Sequence, residues 1–366
     1  MTRQTTPIDQ IADQWVDKMA ELSPSFATYI GKPGNEDKLD DASPEAHEVF
    51  AGEARKVLAK LADTKPVDKV DEVTLDAMRT DLELDLELHD SGLWKRDLNV
   101  IASPAQGIRE IFDLSATATE GDWEHLTNRL NAVPEAIEGY IRSLREGIAA
   151  QDTPARRQVE WVLRDAKELA GADSFFVKFA AGAKAGEAEL NASLKAEVAK
   201  AAQHATEGYA KLVEFLGGEL LPAANEVDAI GRDRYKLLSR RFVGATIDLD
   251  ETYEWGIEEL ARVTAEQNEV ANQIKAGATV AEAIEVLNND AARKLHGTKA
   301  LQEWMQNLSD SAIEKLNGTH FDIAEPIRKL ECMIAPSNSG AIYYTGPTDD
   351  FSRPGRMWWS VPAGVD

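Results

Sequence analysis

Six histidines, one cysteine and a large stock of carboxylates are the groups in this 366-residue sequence that could hold a metal or move a proton. The histidines are His47, His89, His125, His204, His296 and His320. A helical zinc site needs two imidazoles one turn apart with a carboxylate beside them, as in H-E-x-x-H. His47-Glu48 opens such a string, but Ala51 stands where the second ligand should be. No other pair has the spacing, so the sequence offers no metal ligand, no catalytic residue and no cofactor site. Cys332 is alone, which excludes a disulfide within the chain and a thiolate cluster; next to Met333 and Ile334 it reads as a small core residue. The strings G-x-S-x-G, G-x-x-x-x-G-K-[ST] and G-x-G-x-x-G are absent. Gly217-Gly218 and the Gly182 to Gly186 stretch lie between Ala-rich helical segments and do not join a strand to a helix, so phosphate cradling is not expected there.

Two further constellations invite chemistry. Asp81 with Asp85, and Glu83 with Glu87, lie one helical turn apart and could share a proton or a cation. Acids of this kind are seldom buried, so a solvated helix face is the simpler reading. Asp248, Asp250, Glu251 and Glu254 crowd a helix start, where the positive end of the dipole favours them. The tail is richer: Tyr343, Tyr344, Phe351, Trp358 and Trp359 fall in one short stretch with Arg353 among them. Aromatic rings with an arginine can line a cleft, and an exposed edge strand can take up an extended peptide by adding it to the sheet. Tyr343, Tyr344, Arg353, Trp358 and Trp359 are therefore the candidate substrate-binding residues. The competing reading is that these rings pack the sheet against helices.

The elements that must position these groups are mostly helices. Thr6, Pro7 and Asp9 make a helix start, and Ile8, Ile11, Trp15, Met19 and Leu22 continue it as an apolar stripe until Pro24. Residues 31–41 form a polar loop, and Ser43-Pro44 opens a second helix. In the third, about 68–88, the alternation from Asp81 to Leu88 suggests a strand. The lack of β-branched residues and the upstream stripe Leu75, Met78, Leu82 decide for helix. Further helices are expected over about 104–114, 123–131, 134–150, 154–169, 186–216, 250–275, 280–287 and 298–316. Short strands are expected over about 329–334, 341–345 and 357–361, punctuated by Pro336, Gly346-Pro347 and Pro354-Gly355.

The expected fold class is mainly α: a multi-helix body over residues 1–320, in one piece or in two lobes parted near 217–230. A small antiparallel β-sheet over 321–366 follows it. Hydrophobic residues at 43% supply a core, and a net charge of -24 repels phosphate backbones and anionic lipid, so neither nucleic acid nor a membrane is an expected partner. No apolar run is long enough to span a bilayer, and MTRQTTPIDQ lacks an apolar signal core, which points to the cytoplasm. Oligomeric state is not encoded in any visible pattern.

Several strings, in order, carry a resemblance. They are Tyr29-Ile-Gly31 with 37–43, Gly231 to Tyr235, Leu249 to Gly256, and His320 to Ile323 with Pro326. Tyr343-Tyr344 with Pro347, and Ser352-Arg-Pro-Gly355, complete the set. Together they resemble the DUF885 family of bacterial proteins, which is similar to helical zinc metallopeptidases of the gluzincin type. The resemblance implies that full-length relatives continue into an H-E-G-x-P-G-H type zinc helix. This chain would then be the N-terminal, cleft-forming portion of such an enzyme, with 321–366 the start of a catalytic lobe. Zinc is implied for a full-length relative and not for this chain, which is expected to be inactive alone, with peptide as the substrate class. The alternative is a non-catalytic helical protein that binds a peptide or a partner.

Overall fold

Helix starts in this chain are written in its caps. Thr6 accepts from the Asp9 amide while the Asp9 carboxylate accepts from the Thr6 amide, which closes a capping box ahead of α1 (Pro7–Leu22). Pro24, expected to end α1, also opens α2 (Pro24–Ile30), with Ser23 as its cap and Gly31 in the left-handed conformation at its end. α3 (Pro44–Asp63) and α4 (Lys69–Asp90) follow as an antiparallel-spaced pair that packs with α1 around Ile8, Ala54, Val57, Leu61 and Leu82. The ambiguous Asp81 to Leu88 segment is helical within α4. The computed structural model describes residues 3–335 and 342–362.

The principal core is built by α5 (Pro104–Leu114), α6 (Glu120–Ala149), α7 (Arg156–Leu169), α8 (Phe175–Ala181) and α9 (Ala192–Phe215). α6 packs along α9 with Leu126, Leu130, Ile137, Tyr140 and Leu144 buried on one side and Val198, Ala205, Tyr209 and Leu212 on the other. The sequence suggested two helices parted before Pro134, yet α6 runs through it. Pro134 removes one backbone donor, but the apolar stripe on both sides of it is buried against α9, and tertiary packing outweighs the local penalty. Gly208 of α9 makes room: a Cβ there would lie 3.1 Å from the Pro134 Cα.

A two-residue hairpin, β1 (Lys184–Ala185) with β2 (Ala188–Glu189), occupies the beginning of the stretch expected to be helical from 186. Gly217-Gly218 does not stop α9. The chain passes through a π-helical turn over Leu216–Leu220 into the short α10 (Leu221–Ala223), because Leu216 and Leu220 are both fully buried in the core.

The chain divides into two units: Met1–Gly231 with Thr348–Arg353, and Arg232–Pro347 with Pro354–Asp366. The second holds α11 (Arg232–Val243), α12 (Leu249–Ile274), α13 (Val280–Asn288) and α14 (Thr298–Leu316), then β3 (Leu330–Ile334), β4 (Ile342–Thr345) and β5 (Gly355–Trp359). The sheet order is β3-β5-β4. The class is mainly α with a small sheet near the C-terminus, as expected, but the sheet is mixed: β4 pairs antiparallel with β5 and β3 pairs parallel with it. The connection from Ile334 to Gly355 is long enough for a crossover, which a parallel pair requires. Ala341 and Pro336 lie outside the described residues.

Close backbone approach at one glycine sets a test. A Cβ at Gly147 of α6 would collide with the Lys95 carbonyl oxygen and lie 2.9 Å from that of Asp152. In an open helix Gly→Ala stabilises by ~1 kcal/mol. Gly147→Ala should instead destabilise by about 1–3 kcal/mol in urea unfolding, while Gly52→Ala, with open space around it, should stabilise.

Candidate functional site

β3 would be an open sheet edge were it not for α14. Gln306 and Gln302 lie one turn apart on that helix. The Gln306 amide donates to the Leu330 carbonyl and accepts from the Cys332 amide, each at 2.8 Å, and Gln302 donates to the Cys332 carbonyl at 2.8 Å. The two side chains thus take the place of a fourth strand and satisfy backbone groups that would otherwise invite pairing. The opposite outer strand is β4, where Ile342 and Tyr344 are each 54% exposed.

Across the sheet, side chains in register hold β4 to β5. Tyr343 faces Trp358 with rings stacked at 6.0 Å. Trp358 is buried, and its indole donates to the Thr345 hydroxyl at 3.1 Å. Tyr344 lies over Gly355, where any side chain would strike the phenol, so the glycine is what lets the ring lie flat across the neighbouring strand. Arg356 bonds Glu331 at 2.8 Å across the parallel pair. The indole N–H of Trp359 and the hydroxyl of Ser360 are buried with no hydrogen-bond partner among the described residues.

Arg353 belongs to a different construction in the first unit. The segment Thr348–Arg353 is a knot of short-range bonds. Asp350 accepts from the Thr348 hydroxyl at 2.6 Å and from the Ser352 amide and hydroxyl at 3.0 and 2.7 Å. The Thr348 hydroxyl accepts from the Arg353 amide at 3.0 Å. The knot rests on the end of α2: Asp349 donates its amide to the Ile30 carbonyl at 3.0 Å, and the Arg353 guanidinium donates to the Tyr29 carbonyl at 2.6 Å. A Cβ on Gly31 would run into Thr348, so the left-handed glycine both ends α2 and leaves space for the knot.

Behind α2 stands Arg129, 1% exposed. Its guanidinium donates to the carbonyls of Lys38 and Asn35 at 2.9 Å each, to the Ser115 hydroxyl at 2.8 Å and to the Thr28 hydroxyl at 3.0 Å. Burial lowers its pKa to about 10, opposed by the acids Glu36, Asp40 and Asp37 of the same loop. The polar loop 31–41 is therefore tied to α6 by an arginine that sequence reading gave no reason to single out.

Of the five candidates, the structure brings Tyr343, Tyr344, Trp358 and Trp359 onto the β4–β5 pair, with Tyr343 and Tyr344 exposed and Trp358 buried as packing. Arg353 serves a backbone carbonyl. The residues missed were Gln302, Gln306, Thr348, Asp350 and Arg129. The i,i+4 glutamine pair was a visible spacing, but nothing local tells a strand-capping glutamine from a solvated one.

Among the described residues no three His, Cys, Asp or Glu side chains come together to hold a metal. His47 stacks on Trp94 at 4.8 Å, where burial pushes its pKa down, and His89 bonds Glu48 at 3.2 Å. These groups do not fit the zinc site that the resemblance implies for full-length relatives. No helix of the described residues is long and apolar enough to cross a membrane.

A mainly helical protein whose small mixed sheet keeps one strand outermost is the class that this geometry defines. By its sequence the chain belongs to DUF885, a family of bacterial proteins of unknown function, which it matches over residues 24–366. It is similar in structure to a protein from Colwellia psychrerythraea classed provisionally as a lipoprotein, with a TM-score of 0.81 and 17% identity over 97% of this chain and 67% of that one. A second neighbour from Shewanella oneidensis, classed in the same way and of unknown function, gives a TM-score of 0.61 and 15% identity over 99% of this chain and 66% of that one. The chain thus spans about two thirds of the length of these two solved structures, and at such identities the likeness is one of fold. No curated protein matches it.

Asp350 gives the knot a pH dependence. Its bonds from Thr348, then from Ser352, hold the carboxyl down at about 2 from an ordinary 3.8. A folded value below the unfolded one means the stabilisation is complete above pH 3.8 and is lost as pH falls through about 2. Amide exchange at 348–353 should therefore accelerate between these two pH values beyond the general trend, and Asp350→Asn should remove that extra step.

Proposed function

We propose that this chain is the cleft-forming portion of a DUF885-type zinc metallopeptidase, and that the outer edge of β4 receives an extended peptide. The observation that carries the reading is the asymmetry of the sheet: one outer strand is sealed by Gln302 and Gln306, while the other presents exposed Ile342 and Tyr344. A peptide laid beside β4 gains main-chain hydrogen bonds, and alternate side chains meet the flanking rings. In this reading Tyr343 and Tyr344 touch the peptide and Trp358 sets the position of Tyr343 from beneath. Arg353 holds the segment that precedes β5.

Hydrolysis is what the resemblance implies for the whole protein. In this reading the share of this chain is binding. The same binding role serves the alternative of a non-catalytic peptide-binding protein, and the two part on activity alone. The cytoplasm remains the proposed place of action; because the solved neighbours are classed as lipoproteins, cell fractionation is the check.

The test uses a fluorescent, lysine-flanked octapeptide of alternating threonine and valine, suited to a chain of net charge -24. It should bind the 366-residue protein saturably and remain uncleaved with or without added zinc. The same peptide N-methylated at alternate residues should bind at least ten times more weakly, since it lacks the donors that pair with a strand. Equal binding of the two peptides, or none, overturns the edge assignment; zinc-dependent cleavage overturns the assignment of this chain to binding.

A further inference from the structure

The first unit holds two apolar clusters, one built by α1, α3 and α4 and a larger one centred on α5 to α9. The 3-10 turn Leu93–Arg96 touches both α4 and α6, an element of each. Trp94 of this turn joins neither cluster. Two imidazoles meet its indole instead. His47 of α3 stacks on it with ring centres 4.8 Å apart and planes at 27°, and His89 of α4 lies nearly parallel, at 6.3 Å and 14°. The Lys95 ammonium stands 4.9 Å from the centre of the same ring. One aromatic ring is therefore shared by a lysine and two copies of the side chain whose charge changes near neutral pH.

We propose that His47, Trp94 and His89 form an acid-sensitive joint, which holds α3 and α4 against the Leu93–Arg96 turn while the imidazoles are neutral and loosens when both carry a proton. Neutral imidazole stacks on indole as one flat ring on another. An indole also accepts a single cation on its face. Two imidazolium rings with Lys95 would set three positive charges about one indole, and like charges so close repel. Their partners are unequal. Glu48 lies 3.2 Å from the His89 Nε2, whereas the His47 ring has no hydrogen bond or ion pair among the described residues. Burial first, and the charge on His89 second, hold the His47 pKa below the ordinary 6.5, against the pull of Asp41 and Glu48. With the folded value below the unfolded one, the joint is complete above pH 6.5 and weakens as pH falls below it.

Most other charges on the packed elements are already engaged. Glu45 of α3 pairs with Arg142 of α6, Asp90 of α4 with Arg55 of α3, Lys95 with Glu146 of α6, and Arg96 with Asp152. Asp97, which closes the turn, works in the opposite sense: desolvation raises its carboxyl to about 6, so its contribution is lost as pH rises through that value. A change at His47 alone separates the two effects. The opening is local. Ser143 of α6 donates to the Ala42 carbonyl at 2.6 Å and Arg142 holds Glu45, so the start of α3 stays on α6 while the turn is released. The joint lies within the first unit and uses no residue of the β4 edge, so either assignment stands or falls without the other.

Amide hydrogen exchange on the 366-residue chain reads the joint through the Ser91, Gly92 and Lys95 amides, bonded to the Glu87, His89 and Gly92 carbonyls at 3.0, 2.9 and 3.0 Å. After correction for the intrinsic rate, protection at these amides should fall at least tenfold from pH 7.5 to 5.0, and protection along α9 less than twofold. His47→Phe keeps a flat ring on the indole and cannot be charged, so its loss at the joint should be less than threefold. His89→Gln removes one of the two charges and should give a loss between those of the other two chains. The His47 ring protons, followed by NMR on the unaltered chain, should titrate below pH 6.5 and over the range where protection is lost, a result that needs no variant. A full tenfold loss in His47→Phe, an unaltered chain that loses no more at the joint than along α9, or a His47 titration above pH 6.5 would each overturn the proposal.

Discussion

The first unit is organised around a charge taken out of water. Arg129 sits in the first half of α6 with no carboxylate of the described residues on its nitrogens, and neutral oxygens from α2, the 31–41 loop and Ser115 receive its guanidinium bonds. A buried cation is tolerated only when its donors are satisfied. The planar fork reaches two loop carbonyls and a hydroxyl of α2 together, which a lysine ammonium does not do. The consequence runs outward. The loop is fixed, the end of α2 is fixed with it, and the Tyr29 and Ile30 carbonyls are left in place to receive the Thr348–Arg353 knot. Residues more than three hundred positions apart in sequence are joined through this one side chain and the turn it holds.

The two units are stabilised by different means. The first buries a continuous apolar core along α6 and α9, with phenols such as Tyr140 and Tyr209 satisfied by the Asp97 and Ala105 carbonyls. The second relies on directional contacts: glutamines in place of a strand, a tryptophan bonded to a threonine, a tyrosine over a glycine. Such contacts define geometry well and bury little. That combination suits a surface offered to something else, and it is why β4 is where binding is assigned.

Much of the helical frame was legible because caps and stripes are local. Thr6-Pro7 with Asp9, Thr279 before Val280, and Leu75, Met78 and Leu82 each report on a few neighbouring residues, and α1, α13 and α4 begin and run as those residues dictate. Where the deciding contact was distant, the reading failed. Pro134 looked like a break because the facing Gly208 is far away in sequence, and Gly217-Gly218 looked like a stop because the burial of Leu216 and Leu220 is not a local property. The parallel pairing of β3 depends on a crossover that no short motif announces. At the site, the aromatic cluster was visible as composition, but only the pleat separates exposed Tyr344 from buried Trp358.

The dependence of the knot on Arg129 can be measured directly by amide hydrogen exchange on Arg129→Met and Arg129→Lys chains. The account predicts that both lose protection at 35–38 and, with no residue changed there, at 348–353. Protection along α9 should remain. Unchanged protection at 348–353 in a variant whose 35–38 loop has opened would contradict it, and would show that the knot stands on its own.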